Sequence, residues 1–592
     1  TKFLHDIGKS SKDSTRVEVP FEQIAPADDK IWSEETTEEL RVAIGRSGAT
    51  KLQYLAIGRA TRQHALIAGK TGSGKSTLFH IIITNLALWC SPEQVEFYLV
   101  DFKKGVEFKC YGSRRLPHAK VVAIESDRAF GLSVLQRVDD ELRRRGDLFR
   151  QLGVQDVASY KRAGGKEPMP RSLLMIDEFQ EFFTEEDRVS QSAAVLLDRI
   201  VRQGRAFGIH VLLGSQTLGG AYTLARATIG QMVIRIALQC NEADAYLIMD
   251  QDNPAPRLLS RPGEGIYNDA AGALEGNSPF QAVWLSEDVR DGYLEKVRER
   301  ADEKKFPGPF VFEGSAPADV HENLILREAL LTVPAKIPAQ SRIWLGAPNS
   351  IKGPTEAVFQ RQSGSNLLIV GQSEERSLTI LAVAMASLAT QFPKPAAKFF
   401  VFDSTPQGFS EREFIERISK AIPQEMVQVN NTNLTEIMAG LSAELKKRSE
   451  AESAAPEIFL FINGLQNFKK LRNEDEFSFS SSDSGEAKPS VVLQNLINDG
   501  PAHGIHVIAT CDTYNNVNRF LGRKTLTEFE MRVLFQMSAS DSASLIDSPD
   551  ASTLGLHRAL YYNDREGYTE IFRPYARPGN DWIDKIAKQL QR

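Results

Sequence analysis

A long internal repeat is the feature of this sequence that most constrains its fold. The stretch LRVAIGRSGATKLQYLAIGRATRQHALIAGKTGSGKST, from Leu40, returns from Ser341 as SRIWLGAPNSIKGPTEAVFQRQSGSNLLIVGQSEERS. Further along, RQGRAFGIHVLLGSQT, from Arg202, aligns without gaps with NDGPAHGIHVIATCDT, from Asn498. A period of this length indicates two homologous domains in tandem rather than a short-period solenoid.

Strands and helices alternate within each copy. Apolar strands such as VEFYLVDF, SLLMIDEF and HVLLGSQ are separated by helical segments, which predicts an α/β fold with a mostly parallel sheet and helices on both faces. We predict an N-terminal extension (1–39), a first domain (40–285), a charged linker rich in Pro and Gly (286–335) and a second domain (336–592). Ligands bind such sheets at the carboxyl ends of the strands.

Size and composition exclude several classes of protein. A chain of 592 residues requires more than one core, and 42% hydrophobic with 25% charged residues is typical of a soluble globular protein. The net charge of −6 argues against a wholly basic surface but leaves a local basic channel open. Four widely spaced cysteines indicate neither a zinc site nor a disulfide framework, so we expect a cytoplasmic location.

No membrane-spanning segment is predicted. The longest apolar stretch, Leu78 to Trp89, is too short to cross a bilayer. The chain begins at Thr1 without a signal peptide, which leaves an upstream anchor or coiled coil open.

A complete phosphate-binding motif follows the strand HALIA and opens a helix. It comprises Gly69, Lys70, Thr71, Gly72, Ser73, Gly74, Lys75, Ser76 and Thr77. The glycines let backbone N–H groups surround phosphates, Lys75 reaches the β- and γ-phosphates, and the Ser76 hydroxyl ligates Mg²⁺. ATP and Mg²⁺ are therefore the predicted ligands.

Two later strand ends supply the remaining catalytic groups. The strand SLLMIDEF places Asp177 to hold Mg²⁺ and Glu178 beside it to orient and polarise the attacking water. Gln216 ends the next strand, and its amide is predicted to sense the γ-phosphate.

The motifs HALIAGKTGSGKS, VDFKKGVEF, ELRRRGDLF, LLMIDEF, GRAFGIHVLLGSQT, VIRIALQC and GEGIY occur in this order. In this arrangement the chain resembles the FtsK/SpoIIIE-type motor domains, which include the type VII secretion ATPases. The resemblance covers most of 40–285 and is weaker over 341–575. It implies two tandem RecA-like P-loop NTPase domains, homo-oligomeric rings such as hexamers with ATP between subunits, and movement of double-stranded DNA or of secreted proteins.

Residue roles follow from the resemblance as well. Arg205 in GRAFGIH would be an arginine finger acting in trans on a neighbour's γ-phosphate, with Arg202 as the alternative. Asp101, Lys103 and Glu107 match a family segment near the nucleotide or the subunit boundary.

The second copy departs from the pattern at every catalytic position. The segment GQSEERS lacks the loop glycines and the lysine, with Arg376 and Ser377 as the closest equivalents if one residue is deleted. Other replacements are Asn463 for Asp177, Gly464 for Glu178, Pro501 for Arg205 and Asp512 for Gln216. We expect this domain to be inactive in hydrolysis and to be available for a protein partner in its pocket.

The leading hypothesis is an ATP-driven translocase of double-stranded DNA without sequence preference. Its phosphate contacts would come from two basic clusters, namely Lys103, Lys104, Lys109, Arg114 and Arg115, and Lys161, Arg162 and Lys166. Two alternatives stay open: a protein-export or scaffold ATPase of the type VII secretion kind, and an ATPase switch in a defence or maintenance complex.

Overall fold

The computed structural model describes residues 19–102, 107–219, 228–450, 455–473 and 487–591. It divides into two compact units, residues 1–314 and residues 315–592. Lys103, Lys104 and most of the polar segment 474–490 lie outside the described residues. None of the described helices is long and apolar enough to span a bilayer.

Unit one holds eleven of the described strands and seven of the described α-helices. The strands are β1 (Leu40–Ser47), β2 (Lys51–Ile57), β3 (Ala65–Ala68), β4 (Val95–Asp101), β5 (Ala119–Ile124), β6 (Arg171–Asp177), β7 (Ile209–Ser215), β8 (Ile234–Ala237), β9 (Glu264–Asn268), β10 (Asn277–Ala282) and β11 (Phe310–Glu313). The helices are α1 (Lys75–Trp89), α2 (Lys109–Ser113), α3 (Arg128–Leu152), α4 (Val157–Arg162), α5 (Arg188–Phe207), α6 (Glu242–Ile248) and α7 (Glu287–Glu303).

Unit two repeats this plan. Its strands are β12 (Ser341–Pro348), β13 (Thr355–Phe359), β14 (Leu367–Val370), β15 (Ala397–Phe402), β16 (Glu425–Val429), β17 (Glu457–Ile462), β18 (Ile505–Cys511), β19 (Met531–Leu534), β20 (Ala559–Asn563) and β21 (Tyr568–Pro574). Its helices are α8 (Leu324–Ala329), α9 (Glu374–Ala389), α10 (Ser410–Ala421), α11 (Leu434–Glu450), α12 (Pro489–Asn498), α13 (Tyr514–Phe520), α14 (Arg523–Thr527), α15 (Ala539–Ile546) and α16 (Asn580–Leu590).

The two sheets share one strand order. Unit one reads β11-β5-β4-β6-β7-β3-β8-β9-β10-β1-β2, and unit two reads β16-β15-β17-β18-β14-β19-β20-β21-β12-β13. Apart from the additional β11, each position is occupied by the strand's counterpart in the repeat. Pairing is parallel from β11 to β8 and from β16 to β19, and antiparallel beyond. The predicted α/β class with mostly parallel sheets is confirmed.

A glycine bulges the first strand of each unit. The register shifts between Ala43 and Gly45 in β1 and between Trp344 and Gly346 in β12. A Cβ atom on Gly45 would lie 2.2 Å from the carbonyl oxygen of Gln281, and one on Gly346 would meet a strand carbonyl at 2.1 Å. Because the backbones approach this closely, no side chain fits, which explains why both copies keep this glycine.

Both faces of the unit two sheet are covered. Along β14, Leu367 and Ile369 pack into one apolar cluster, and Leu368 and Val370 pack into another, with all four side chains fully buried. The first cluster is completed by α9, α10 and α16, and the second by α11 and α12. A strand buried on both faces is continuously apolar, which is the pattern LLIV shows.

A buried polar side chain joins the parallel strands at the same place in both units. The Val211 amide donates to Nδ1 of His64 at 3.1 Å, and the Val507 amide donates to Oδ1 of Asn366 at 2.8 Å. Burial lowers the pKa of His64 to about 4, so its ring is neutral and Nδ1 is free to accept. Two different residue types thus satisfy the equivalent backbone N–H group in the two units.

The unit boundary differs from the predicted domain limits. The predicted linker, 286–335, is divided between the units: α7 buries Leu294 and Val297 in the unit one core, and β11 extends that sheet beside β5. Val320 and Leu326 pack into the unit two core. Because this segment is highly charged, the spacing of its few apolar residues, through which α7 packs on the core, was not recognised from the sequence.

The predicted N-terminal extension also packs onto unit one over its described part. Phe21, Ile24 and Ile31 belong to the same apolar cluster as β1 and α1. The Trp32 amide donates to the carbonyl of Leu88 at 2.8 Å, which fixes this segment against the end of α1.

We predict that Asn366→Ala destabilises unit two by about 2–4 kcal/mol. Beyond the Val507 contact, its Nδ2 donates to the carbonyl oxygens of Ile497 and Glu528 at 3.0 and 2.9 Å, so two buried backbone groups and one partly buried group lose this partner. Urea unfolding followed by tryptophan fluorescence measures the effect. The control, Asn515→Ala, removes an exposed amide and should change stability by less than about 0.5 kcal/mol. Equal effects of the two substitutions would refute this role.

Candidate active site

Three adjacent parallel strands bring the predicted catalytic groups together. β6, β7 and β3 are neighbours in the sheet, and their carboxyl ends therefore open at one edge. The phosphate-binding loop follows β3, Asp177 ends β6, and Gln216 follows β7. The sequence separation between these groups is large, but the topology makes them neighbours.

Left-handed glycines shape the phosphate-binding loop. Gly72 has a φ of 79° and Gly74 a φ of 101°, in the region that L side chains rarely adopt. A Cβ atom on Gly69 would lie 2.4 Å from Oγ of Ser73, which is itself fully buried. The loop therefore keeps its backbone N–H groups accessible at the N-terminus of α1, the arrangement that binds phosphates.

Two other segments form backbone hydrogen bonds with the phosphate-binding loop. The Gly263 amide donates to the Ser73 carbonyl at 2.9 Å, and a Cβ atom on Gly74 would stand 3.3 Å from the Gly263 nitrogen. The Lys70 amide donates to the Gln239 carbonyl at 2.9 Å. This close approach explains the glycine of the GEGIY motif.

Lys75 lies between two buried carboxylates. As the first residue of α1, it directs Nζ to Oδ1 of Asp177 and to Oε1 of Glu178, the second contact at 2.9 Å. The three side chains are 3–6% exposed, so water screens these charges weakly. One ammonium group thus holds both the predicted metal ligand and the predicted base.

A hydrogen-bond relay orients Glu178. Its Oε2 accepts from Nε2 of Gln180 at 2.6 Å and from the backbone N–H of Gln216 at 3.1 Å. Ser215 Oγ in turn donates to Oε1 of Gln180 at 2.7 Å. Burial raises the pKa of Glu178, but the Lys75 charge and these hydrogen bonds outweigh burial and hold that pKa below its usual value. The carboxylate is therefore ionised at neutral pH, as a base must be. Gln180, two residues after Glu178 in DEFQ, was not identified from sequence.

Glu178 also occupies a strained backbone conformation. Its φ and ψ are 54° and 47°, in the left-handed region, and the corresponding residue of unit two is Gly464, with φ 72° and ψ 76°. A non-glycine residue there costs about 1–2 kcal/mol. The side chain is thereby turned back toward the lysine at the strand end.

The loop side chains contact the other predicted groups. Thr71 Oγ1 donates to Oε1 of Gln216 at 3.0 Å, so the proposed sensor touches the loop directly. Ser76 Oγ donates to Oε1 of Glu107 at 3.0 Å. Thr77, also half-buried, follows in the first turn of α1.

The donor set suits Mg²⁺. The Ser76 hydroxyl and the carboxylates of Asp177 and Glu107 offer oxygen atoms only, which hard divalent cations prefer. Within the described residues, no group of three or more His, Cys, Asp or Glu side chains is arranged to hold a metal by itself. A magnesium ion here would accordingly take further ligands from nucleotide phosphates and water.

The two candidate arginine fingers differ in their contacts. Arg202 Nε donates to both carboxylate oxygens of Asp198 at 2.8 Å, whereas Arg205 is exposed and makes no side-chain hydrogen bond or ion pair to any residue that the structure describes. Arg205 lies in the last turn of α5, which ends at Gly208 before β7 begins. The length of β7, roughly 20 Å, therefore separates Arg205 from the phosphate-binding loop of its own unit.

The basic clusters are partly paired. Lys109 contacts Glu313 at 2.5 Å, and Arg114 contacts Asp291 and Glu295 of α7 at 3.2 and 3.5 Å. Lys161 is half-buried against Gln94, and burial lowers its pKa. The other described members, Arg115, Arg162 and Lys166, are exposed and form no ion pair with a residue that the structure describes.

The corresponding edge of unit two has lost this chemistry. α9 begins at Glu374, three residues after Gly371, whereas α1 begins at Lys75, six residues after Gly69. Asn463 donates to Asp403 at 3.1 Å in place of the metal ligand. Neither the loop nor the base is present in this unit.

Arg376 does not replace the lysine. Its guanidinium contacts Nδ1 of His557 at 3.0 Å, and it is not among the residues that line the unit two cleft. Ser377, the predicted equivalent of Ser76, does line that cleft.

We predict that Glu178→Gly is more stable than Glu178→Ala by about 1 kcal/mol, because only glycine adopts a φ of 54° without strain. Thermal unfolding of both variants measures the difference. At the exposed helical position Gln191 of α5 the order should reverse, with alanine more stable by up to about 1 kcal/mol. If alanine is also preferred at position 178, the backbone is not strained there.

Comparisons with known proteins agree with this arrangement. Residues 28–219 match the model of the FtsK/SpoIIIE family. The secretion protein EccC5 of the ESX-5 system of Mycobacterium tuberculosis is 31% identical over 323 residues, which cover 51% of this chain and 21% of that protein. The DNA translocase FtsK of Streptococcus pyogenes serotype M3 is 26% identical over 304 residues, covering 48% of this chain and 36% of that protein. The chain thus spans about a fifth of the length of EccC5.

A solved structure extends the likeness to both units. The cytoplasmic domain of the type VII secretion ATPase EccC from Thermomonospora curvata superposes with a TM-score of 0.65 and 19% identity, covering 97% of this chain and 70% of that chain. At this identity the likeness establishes the fold. Residues 28–219 of unit one thus form a domain that matches the FtsK/SpoIIIE family, whose members are P-loop ATPases.

Proposed function

We propose that this chain is an ATP-driven translocase that hydrolyses ATP in unit one and acts on a protein substrate. The observation that carries the proposal is the buried contact of Lys75 with Asp177 and Glu178 at the mouth of an intact phosphate-binding loop. Unit two has Asn463 and Gly464 at the two carboxylate positions, so it serves as a non-hydrolysing tier. A cytoplasmic location accords with this role.

Lys75 couples nucleotide binding to base activation. While it contacts Glu178, the ammonium group shields the charge of the base. An entering triphosphate competes for Lys75, and the loss of this contact releases Glu178. The side chain of Gln180 and the backbone N–H of Gln216 keep the Glu178 carboxylate oriented toward the attacking water. Mg²⁺, held by Ser76 and Asp177, would neutralise charge on the phosphates. Gln216 reports the state of the loop through Thr71.

Arg205 completes the site from a neighbouring copy. It lies at the opposite end of β7 from its own phosphate-binding loop, and within the described residues it has no partner. A homo-oligomeric ring brings the exposed end of α5 to the next subunit's nucleotide, where the guanidinium stabilises charge on the γ-phosphate.

Two observations favour a protein over DNA as the substrate. Lys109 and Arg114 are paired with carboxylates and Lys161 is half-buried, which leaves three of the six described side chains of the basic clusters free to contact DNA phosphates. The solved structure of the secretion ATPase EccC superposes on both units, and EccC5 is 31% identical in sequence compared with 26% for FtsK, over similar shares of the chain. DNA translocation is the second candidate, supported by that same similarity to FtsK.

A DNA titration distinguishes the two substrates. We expect the steady-state ATPase rate to be unchanged by double-stranded DNA at 50 mM salt, because the proposed substrate is a protein. A true DNA motor would instead be stimulated, and its apparent affinity would fall steeply, about 10³-fold or more, between 50 and 200 mM salt. Glu178→Gln protein provides the background rate. Salt-dependent stimulation by DNA would exclude the protein-substrate proposal.

Mixing two inactive variants tests Arg205. Arg205→Ala should bind ATP but hydrolyse it roughly 10³-fold more slowly, since the finger acts on the transition state. Lys75→Ala should fail to bind ATP tightly. Mixed subunits should regain activity, because a Lys75→Ala subunit supplies its intact Arg205 to its neighbour.

The control for this mixture is Arg202→Ala, which loses only the contact to Asp198 and should keep most of the activity. Mixtures that stay inactive, although co-assembly is shown by crosslinking, would remove Arg205 from this role. A large loss in Arg202→Ala would move the role to Arg202.

A further inference from the structure

Unit two has a cleft at the edge where unit one has its ATPase site. The cleft measures about 580 Å³ and opens at the carboxyl ends of β14, β15, β17 and β18. Gly371, Asn463, Gly464 and Asp512 line it, which are the counterparts of Gly69, Asp177, Glu178 and Gln216. The shape of a ligand site has therefore persisted although its catalytic residues have changed.

The charge of this cleft is opposite to that of a nucleotide site. Glu374, Glu411 and Asp512 line it, whereas no Lys or Arg appears among its described lining residues. Glu374 and Glu411 form no ion pair with any residue in the described part of the chain, and Arg412, next to Glu411, is held by Glu416 at 2.8 Å. A triphosphate would meet three carboxylates here and no compensating cation.

Two side chains that line the same cleft have an unused hydrogen-bond acceptor. Ser377 is 6% exposed and lines the cleft, and its hydroxyl has no hydrogen-bond partner among the described residues. The side-chain oxygen of Gln466, another lining residue, is buried without a donor. Buried acceptors of this kind are ordinarily satisfied, so they indicate a ligand that donates hydrogen bonds.

The rim adds an apolar surface. Phe409 is 55% exposed at the edge of the cleft, beside Pro406. An arginine side chain combines the features that this site matches: a positive charge, five N–H donors in a plane, and a flat face that stacks on an aromatic ring. The described residues present no ready-made metal cluster of three or more His, Cys, Asp or Glu side chains.

We propose that this cleft of unit two binds an arginine side chain of an extended peptide segment in place of a nucleotide. The guanidinium lies among Glu374, Glu411 and Asp512, donates to Ser377 and Gln466, and stacks against Phe409. The peptide backbone occupies the rest of the volume. Unit two thus acts as a recognition module for basic peptide segments, a role that does not depend on the substrate that unit one moves.

Fluorescence anisotropy with a labelled peptide tests this in the full chain. The probe is an acetylated Gly-Ser peptide with two arginines, and its matched control replaces both arginines with citrulline, which is nearly isosteric but uncharged. We expect saturable binding of the arginine peptide and at least about tenfold weaker binding of the citrulline peptide. ATP in excess should not displace the probe.

Charge variants locate the site. The double variant Glu374→Gln with Glu411→Gln should weaken binding of the arginine peptide by about tenfold or more, while its ATPase rate stays at the wild-type value. The matched control, Glu436→Gln with Glu450→Gln, removes two exposed carboxylates on α11 away from the cleft and should bind as wild type. Phe409→Ala should weaken binding several-fold through lost stacking.

Three results would overturn the proposal. These are no saturable binding up to millimolar protein, equal affinity for the two peptides, and equal affinity in the cleft and control variants. Glu178→Gln protein, which lacks turnover, should bind the peptide normally, so a failure of the motor assignment would leave this result unaffected.

Discussion

One buried ammonium group shared by two carboxylates is the interaction on which the rest of the site depends. Lys75 can contact Asp177 and Glu178 only because parallel strands deliver the ends of β3 and β6 to the same edge of the sheet. Burial makes each of these charges dependent on the others, since an isolated charge there would cost several kcal/mol. The same dependence makes the contact of Lys75 with the two carboxylates sensitive to a competing anion, such as the phosphates of a nucleoside triphosphate.

Comparison of the two units shows which buried polar side chains support the fold itself. Arg235 donates to the carbonyls of Met232 and Ile248 at 2.6 and 2.8 Å, and Arg532 makes the equivalent contacts in unit two, to Phe529 at 2.9 Å and to Leu545. These arginines donate hydrogen bonds to backbone carbonyls inside the core, where such groups need a partner. They are kept in both units, whereas Lys75, Asp177 and Glu178 are kept in unit one alone.

The sequence predicted the repeat, the sheet class and the grouping of Lys75, Asp177 and Gln216, because glycine spacing and strand ends are local signals. It did not predict the relay through Gln180, since a glutamine after a strand has many uses and only the left-handed turn at Glu178 brings it back to the base. The predicted linker contains the boundary between the units, but its packing was not predicted: α7 is highly charged, and a few apolar residues hold it against the unit one core.

The coupled burial of three charges also explains why unit two has lost every catalytic group rather than one. Without a lysine, two buried carboxylates would repel each other, and without the carboxylates a buried lysine would lack a partner. Any single replacement is therefore destabilising, and replacement of the set restores neutrality, as Asn463 and Gly464 do. Glycine at position 464 further relieves the backbone strain that Glu178 sustains at the same turn. In unit one the strained turn directs the Glu178 carboxylate toward Lys75, a contact that unit two does not make.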